Sequence, residues 1–470
     1  MVFHSFTFLY LCLIPTIILT LLVEKTKWKE KLKIQNVILL CFSFLFFSWS
    51  GVNHLFILIG LILGNYIIGI LGEKVKRVLL LGVILNIGVL FYFKYINLLI
   101  ETLDYIIHRE LEPFDILPPL GISFIIFQCI SYLLDVYFGK AKSCHDLLSF
   151  SLYIAFFPKL SQGPIVKYRD MFPQNQKREI IYYNFVQGCE RFIIGLSKKV
   201  LIADVLATTV SDIFSHLEGG IDVGTAWLGV LCFSMQLYMD FSGYSDMAIG
   251  MANMFGFSFD ENFNFPYMSC SISEFWRRWH ISLGSWFREY LYIPLGGSRE
   301  GNVYLHLFIV FLVTGVWHGA AWAYILWGVL HGICIVIERY CMKKEWYIKI
   351  PSILKWAVTF LIVSIGWLAF QIPSVSSILQ YLKYMIGIGT GTSAFSVVYY
   401  LTPKLIAVLV ITGIGIVTLG QEAVWRKFIE LNTTSRIFNI IKYVILFILF
   451  YLCFLTIVSV NYVPFLYFQF

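Results

Sequence analysis

Two histidines in strongly apolar surroundings are the residues of this sequence best suited to chemistry. His280 lies within EFWRRWHISLGSWFREYLYIPLGGSR, residues 274–299, and His318 lies within GVWHGAAWAYILWGVLHG, residues 315–332. An ionisable side chain at membrane depth is costly and therefore marks a candidate functional site. A neutral imidazole can accept the proton of an alcohol near neutral pH. For His318, a hydrogen bond to the backbone of a broken helix explains the pattern equally well.

Polar side chains in a neighbouring apolar segment are predicted to support this site rather than to react. Gln236 and Asp240 are four residues apart and share one face of a helix, and Asp246 continues the polar path. Carboxylates buried in this way need a cationic partner, and we expect Arg277 or Arg278 to supply it. The tryptophans beside the two histidines, Trp279 and Trp317, are predicted to complete the support.

The segment 274–290 is predicted to form one amphipathic helix. At 100° per residue its arginines and glutamates share one face, and its aromatic residues cover the opposite face. His280 then lies at the boundary between the two faces. The alternative is an interfacial helix whose tryptophans and arginines meet the lipid headgroups. Pro294 and the pair Gly296 and Gly297 should end the helix in a turn.

The composition requires lipid around much of the chain. Hydrophobic residues make up 59% of the sequence and aromatic residues 18%, whereas only 13% are charged. Apolar runs close to the ~20 residues that cross a hydrocarbon core recur along the whole length. We therefore expect an all-α, polytopic integral membrane protein, a single domain over residues 1–470. It should contain roughly 11 to 13 membrane helices together with partial or interfacial helices.

The net charge of +7 reports membrane topology rather than binding to nucleic acid. Basic residues cluster after the first and third apolar runs, over residues 25–33 and 74–77, as expected for cytoplasmic loops. In a multi-pass protein of the cell membrane, this pattern predicts that the N-terminus and the C-terminus both lie outside. Ten scattered cysteines and the lack of ligand or nucleotide motifs predict neither a metal nor a permanently bound cofactor.

Several long strings in register resemble the membrane-bound O-acyltransferase (MBOAT) family. They are LPPLGISFIIFQCISYLLDVYFGK, FFPKLSQGPIVKYRD, QLYMDFSGYSDMAIGMANMFGF, NFNFPYMSCSISEFWRRWHISLGSWFREYLYIPLGG and GVWHGAAWAYILWGVLHG, within residues 115–335. The opening MVFHSFTFLY and the closing PFLYFQF are similar to the alginate O-acetyltransferase branch. This branch is related to the D-alanyl transferases of teichoic acid.

The resemblance implies transfer of an acetyl group from cytoplasmic acetyl-CoA to hydroxyls of an extracellular or periplasmic polysaccharide. A partner protein outside the membrane would complete the transfer. His318 would be the essential histidine and His280 its companion, both lining a central tunnel or funnel. Tyr467, in the C-terminal aromatic motif, becomes a candidate acyl relay, and its alternative is an interfacial aromatic anchor. Two other functions stay open: a D-alanyl or other acyl transferase, and a non-catalytic subunit for polysaccharide export.

Overall fold

The apolar runs of the sequence fold into helices, and the described part of the chain contains no strand. The computed structural model describes residues 1–108, 112–389, 395–421, 424, 426–427, 430–432 and 435–459. Within these residues, seven helices are long and apolar enough to cross a membrane: Phe6–Glu24, Lys31–Ser48, Val52–Lys74, Lys76–Lys94, Trp322–Cys341, Ser352–Gln371 and Arg436–Ser459. Four shorter apolar helices are Ile122–Tyr137, Leu147–Lys159, Val303–His318 and Pro403–Leu419. The prediction of an all-α polytopic membrane protein is therefore confirmed.

Many large apolar side chains on these helices lie at the surface of the protein. On Arg436–Ser459, for example, Ile437 is 72% exposed and Phe447 is 70% exposed. A soluble protein rarely presents so large a continuous apolar surface to water. These helix faces therefore fit contact with lipid.

The chain divides into two compact units, and the first comprises Met1–Ile193 and Tyr244–Glu261. Polar side chains join helices inside it: the amides of Asn65 and Asn86 exchange hydrogen bonds of 2.7 and 3.2 Å. Such pairs satisfy polar groups that lipid cannot. Besides the first four membrane helices, this unit contains Ile96–Ile107, Ile122–Tyr137, Leu147–Ala155, Tyr168–Lys177 and most of Tyr182–Ser197.

The second unit comprises Ile194–Gly243 and Asn262–Phe470, and its described residues end at 459 with the gaps given above. It contains both candidate histidines. Its helices are Asp204–Ser215, most of Val223–Met254, Ile272–Arg278, Ile281–Phe287, Val303–His318, Trp322–Cys341, Ser352–Gly366, Leu368–Gln371, Val375–Met385, Pro403–Leu419 and Arg436–Ser459. The single domain over residues 1–470 stays a prediction.

Two glycines allow Val303–His318 and Trp322–Cys341 to pack closely against each other. A Cβ atom added to Gly315 would lie 2.5 Å from the carbonyl oxygen of Tyr324. A Cβ atom added to Gly328 would lie 2.6 Å from the carbonyl oxygen of Phe311. Both obstacles are backbone atoms of the opposite helix, so the helices could accept a larger residue only by moving apart. This contact fixes the helix that ends at His318.

Gly328→Ala is expected to destabilise the protein by about 1–3 kcal/mol because the added methyl group overpacks this contact. The measurement is the midpoint of thermal unfolding in detergent. Gly413→Ala is the matched control, since Gly413 lies in a helix of the same unit with no other side chain within 4 Å of the added Cβ atom. Alanine stabilises a helix relative to glycine, so the control should unfold at the wild-type temperature or above it. Equal midpoints for the wild type and Gly328→Ala would contradict the close contact.

Candidate active site

His318 is the last residue of its helix and is buried. The next residue, Gly319, is extended, with φ −170° and ψ 162°, and a new helix begins at Trp322. A Cβ atom added to Gly319 would lie 2.1 Å from the ring of Tyr324, so a larger residue here would require that ring to move. The predicted helix break beside His318 is therefore present. Backbone that leaves helical geometry at membrane depth must be buried in protein or line a cavity.

Aromatic rings surround the imidazole of His318. Its ring centroid lies 4.9 Å from that of Trp317, 5.0 Å from that of Trp327 and 5.0 Å from that of Phe370. These rings meet the imidazole at steep angles and restrict its rotation. They also make the surroundings of the imidazole largely apolar.

A continuous set of tryptophans connects the surroundings of the two histidines. Trp327 stacks on Trp367 with ring centroids 6.3 Å apart, and Trp367 lies 4.7 Å from Trp279. Trp279 in turn contacts Phe241, which meets His280 edge-on at 4.7 Å. The structure therefore places Trp279 and Trp317 in the aromatic cluster that joins His280 and His318, and their supporting role stays a prediction.

His280 lies at a break, and the prediction of one continuous helix over 274–290 is wrong. One helix, Ile272–Arg278, ends before Trp279, and a second, Ile281–Phe287, begins after His280. Trp279 is extended, and His280 adopts a left-handed conformation with φ 45° and ψ 54°. The predicted end of the segment is correct, since a turn with positive φ at Gly296 and Gly297 follows Pro294.

Hydrogen bonds to a distant segment replace those that the break removes. The backbone N–H of Ile281 donates to the carbonyl oxygen of Asn262 at 2.9 Å. The N–H of Asn264 donates to the carbonyl oxygen of Arg278, also at 2.9 Å. Because these partners satisfy the freed backbone groups, the chain can leave helical geometry at a buried position. The amphipathic period of the sequence cannot reveal that hydrogen bonds to a distant segment replace those within the helix.

The helix before His280 is anchored at its N-terminus by carboxylates. The Ser271 side chain accepts a hydrogen bond from Glu274 N–H at 3.0 Å, and the Glu274 carboxylate accepts one from Cys270 N–H at 2.9 Å. This arrangement is a variant of the capping box, in which the carboxylate accepts from the residue before the N-cap Ser271. The buried Glu338 carboxylate accepts further bonds from the N–H groups of Ile272 and Ser273. Negative charge at this end also complements the helix dipole.

The side chain of His280 is held by Asn262. His280 Nδ1 lies 3.1 Å from Asn262 Oδ1, and His280 is 2% exposed. The residue lies outside the candidate membrane-spanning helices, and burial lowers the pKa of its imidazole to about 3. His280 is therefore neutral at physiological pH. A third histidine, His331, accepts a hydrogen bond from Trp276 Nε1 at 3.3 Å.

The buried carboxylates have cationic partners other than those predicted. Asp240 pairs with Lys199 at 2.7 Å, and the same ammonium group lies 2.8 Å from Asp204. Asp246 accepts two hydrogen bonds from the Arg191 guanidinium, at 3.0 and 2.9 Å. The prediction that Arg277 or Arg278 would pair with these carboxylates is wrong.

Arg277 and Arg278 lie at the end of the helix that precedes the break. Arg277 is exposed, and Arg278 pairs with Glu274 at 2.8 Å on its own helix. Gln236 is buried on the same helix as Asp240. Tyr467 lies outside the described residues, so its role as a relay stays a prediction.

Sequence reasoning missed Asn262, Lys199 and Arg191. The two cations occur in CERFIIGLSKKVLIAD, residues 189–204, where isolated charges interrupt apolar residues just as the carboxylates do in the following helix. Matching those two patterns would have suggested the ion pairs. Asn262 gives no such signal, because an asparagine before a proline-containing turn is common in any loop.

The fold and the site together define an integral membrane protein in which two buried histidines belong to one aromatic cluster. The chain matches the model of the membrane-bound O-acyltransferase (MBOAT) family over residues 3–379, and it belongs to that family. It is an O-acyltransferase, so the alternative of a non-catalytic export subunit is not supported. The resemblance found in the sequence is confirmed.

Individual relatives are similar over most of the chain. The probable alginate O-acetylase AlgI of Pseudomonas putida is 39% identical over 461 residues, which cover 93% of this chain and 94% of the relative. The peptidoglycan O-acetyltransferase of Helicobacter pylori is 36% identical and covers 74% of this chain and 72% of its own length. The teichoic acid D-alanyltransferase of Bacillus subtilis is 30% identical, over 55% of this chain and 70% of the relative.

Proposed function

We propose that this protein transfers an acetyl group from cytoplasmic acetyl-CoA across the cell membrane for O-acetylation of an extracellular or periplasmic polysaccharide. The observation that carries the proposal is the buried His318 at a helix break, in a chain 39% identical over 93% of its length to a probable alginate O-acetylase. A second relative is named for O-acetylation of peptidoglycan. The acceptor is therefore assigned as a hydroxyl group on a polysaccharide.

His318 acts as the general base in this proposal. Its imidazole takes the proton of the hydroxyl group that first receives the acetyl group, as the oxygen of that hydroxyl forms a bond to the acyl carbon. The bond between the acyl carbon and sulfur of the thioester then breaks, and the sulfur leaves as the CoA thiol after receiving that proton. The apolar rings around His318 exclude water, which would otherwise hydrolyse the thioester.

The membrane topology predicted from the sequence supports the direction of transfer. The basic clusters over residues 25–33 and 74–77 are assigned to the cytoplasm, where they face the anionic donor, and both chain termini are assigned to the outside. The two histidines would line the passage between these sides. A partner protein outside the membrane would receive the acetyl group and complete its transfer to the polymer.

The test measures ester-linked acetyl in cell-surface polysaccharide of a deletion strain, with and without the wild-type protein. Restoration of acetyl esters supports the proposal, and unchanged polysaccharide contradicts it. Membrane vesicles supplied with acetyl-CoA labelled in the acetyl group identify the donor. Label should appear in the acceptor, and its absence would exclude acetyl-CoA.

D-alanyl transfer is the second candidate, because the relative from Bacillus subtilis is named for teichoic acid D-alanylation. The two candidate functions differ in the group transferred: the first transfers an acetyl group, and the second transfers a D-alanyl group. Labelled D-alanine supplied to the same strains would appear in surface polymer as an alkali-labile ester that depends on this protein only in the second case.

Tyr467 provides a separate prediction within the proposed function. If its phenol carries the acetyl group between the membrane site and the partner protein, Tyr467→Phe should abolish polymer acetylation, because the hydroxyl nucleophile is lost. The measurement is surface acetyl content at equal membrane levels of the two proteins. Full acetylation by Tyr467→Phe would leave the residue as an interfacial aromatic anchor.

A further inference from the structure

The orientation of the Asn262 amide can be assigned from its neighbours. Asn262 Oδ1 lies 3.2 Å from the backbone nitrogen of Ser282 and 2.9 Å from the Ser282 hydroxyl. A backbone N–H can only donate, so the amide atom facing it must be the oxygen and not the nitrogen. The assignment therefore follows from chemistry rather than from a choice between two similar atoms.

The same oxygen determines which nitrogen of His280 carries the hydrogen. His280 Nδ1 lies 3.1 Å from Asn262 Oδ1, an atom that can only accept. Nδ1 must therefore be the protonated nitrogen. In a neutral imidazole the other nitrogen, Nε2, then has a lone pair and acts as an acceptor.

Asn262 also holds the backbone at this point. Its carbonyl oxygen accepts the Ile281 N–H at 2.9 Å, directly after the left-handed residue His280. The edge-on contact with Phe241 limits the ring from another direction. One residue thus binds both the backbone turn and the imidazole, which leaves the ring a single orientation.

We propose that Asn262 is a positioning residue that holds His280 as the Nδ1–H tautomer, with Nε2 able to accept a hydrogen bond from a substrate. This inference rests on the proposed function, in which His280 is the companion of His318. In this tautomer a neutral His280 cannot donate from Nε2. The negative charge that develops on the acyl oxygen when the hydroxyl attacks must therefore be stabilised by a different hydrogen-bond donor.

The first test reads the tautomer directly. The full-length protein, labelled with ¹⁵N in histidine and reconstituted in lipid, is studied by solid-state NMR, and His280→Gln identifies the His280 signals among nine histidines. The wild type should show a neutral imidazole with the hydrogen on Nδ1. A wild-type signal from Nε2–H would overturn the proposal without any variant being needed.

Variants separate positioning from folding. Asn262→Leu, of similar size, should shift the signal towards the Nε2–H tautomer and lower kcat roughly 10–100-fold, as loss of a group that orients a histidine does elsewhere. KM for the donor should change little. Asn262→Asp restores an oxygen acceptor and should recover the Nδ1–H signal. Ser282→Ala is the matched control, because it removes one hydrogen bond to Asn262 Oδ1 and keeps the bond to His280.

The outcomes distinguish this inference from the function on which it rests. An unchanged tautomer in Asn262→Leu overturns the role of Asn262, whatever the activity. The predicted tautomers in a protein that transfers no acetyl group would support Asn262 as the residue that orients His280 and contradict the proposed function. Thermal unfolding midpoints show whether Asn262→Leu is folded. If it is not, the NMR signals of the wild type and of Asn262→Asp show whether His280 carries its hydrogen on Nδ1.

Discussion

Replacing His318 with glutamine is expected to reduce acetyl transfer by about 10²–10⁴-fold, the usual contribution of a general base. Glutamine is close to histidine in size but cannot take the proton of a hydroxyl group near neutral pH. The imidazole lies between Trp317, Trp327 and Phe370, where no bulk solvent can replace the missing base. The measurement is the rate of label transfer from acetyl-CoA in membrane vesicles.

His145→Gln is the matched control for this prediction. The side chain of His145 is 64% exposed and pairs with Glu73 in the other unit of the chain. Its replacement should leave transfer unchanged, and immunoblots should show equal amounts of both variants in the membrane. If His318→Gln is folded, present at wild-type level and as active as the wild type, His318 is not the general base.

Lys199→Met is expected to destabilise the protein by about 3–5 kcal/mol, because it leaves the buried Asp240 carboxylate and the partly buried Asp204 carboxylate without their cation. The Lys199 ammonium lies between Asp240 and Asp204, and its side chain is only 2% exposed. Native proteins are stable by only about 5–15 kcal/mol, so this loss should remove much of the folded population. The yield of monodisperse protein in detergent and its thermal unfolding midpoint measure the effect.

Two further variants test the cause of this loss. Lys343→Met removes a lysine that lies at the surface of the same unit and should unfold at the wild-type temperature. Lys199→Met combined with Asp240→Leu removes the cation together with its most buried partner and should recover part of the stability, because apolar packing can replace a buried ion pair. A single Lys199→Met variant as stable as the wild type would show that the ion pairs contribute little.

The region around His280 shows where sequence periodicity stops being informative. The period of Glu274 to Tyr290 reflects contacts three and four residues apart, and a continuous helix satisfies it. The broken segment also keeps Phe275, Trp279 and Trp286 buried, so it satisfies the hydrophobic pattern equally well. The choice between them depends on Asn262 and Asn264, whose hydrogen bonds come from outside the segment.

The choice of ion partners was undetermined for a similar reason. The charge and burial of Asp240 show that it needs a cation, but the sequence has no arginine or lysine between Lys199 and Arg277, so the partner must come from a distant segment. Which residue supplies it depends on distances between elements. Lys199 reaches Asp240 because the helix Val223–Met254 approaches Gly195 closely at Gly243. A Cβ atom added to Gly243 would lie 2.7 Å from the carbonyl oxygen of Gly195.

By itself the sequence determined the class of this protein, the helical architecture, the family and the two histidines. Those features depend on composition, on runs of ~20 apolar residues and on local strings, all of which are present in the chain before it folds. Only the tertiary structure decided the break at His280, the partners Lys199 and Arg191, the aromatic surroundings of His318 and the contact with Asn262. Each of these depends on which distant residues come within a few ångströms of one another, and that follows from the packing of whole helices.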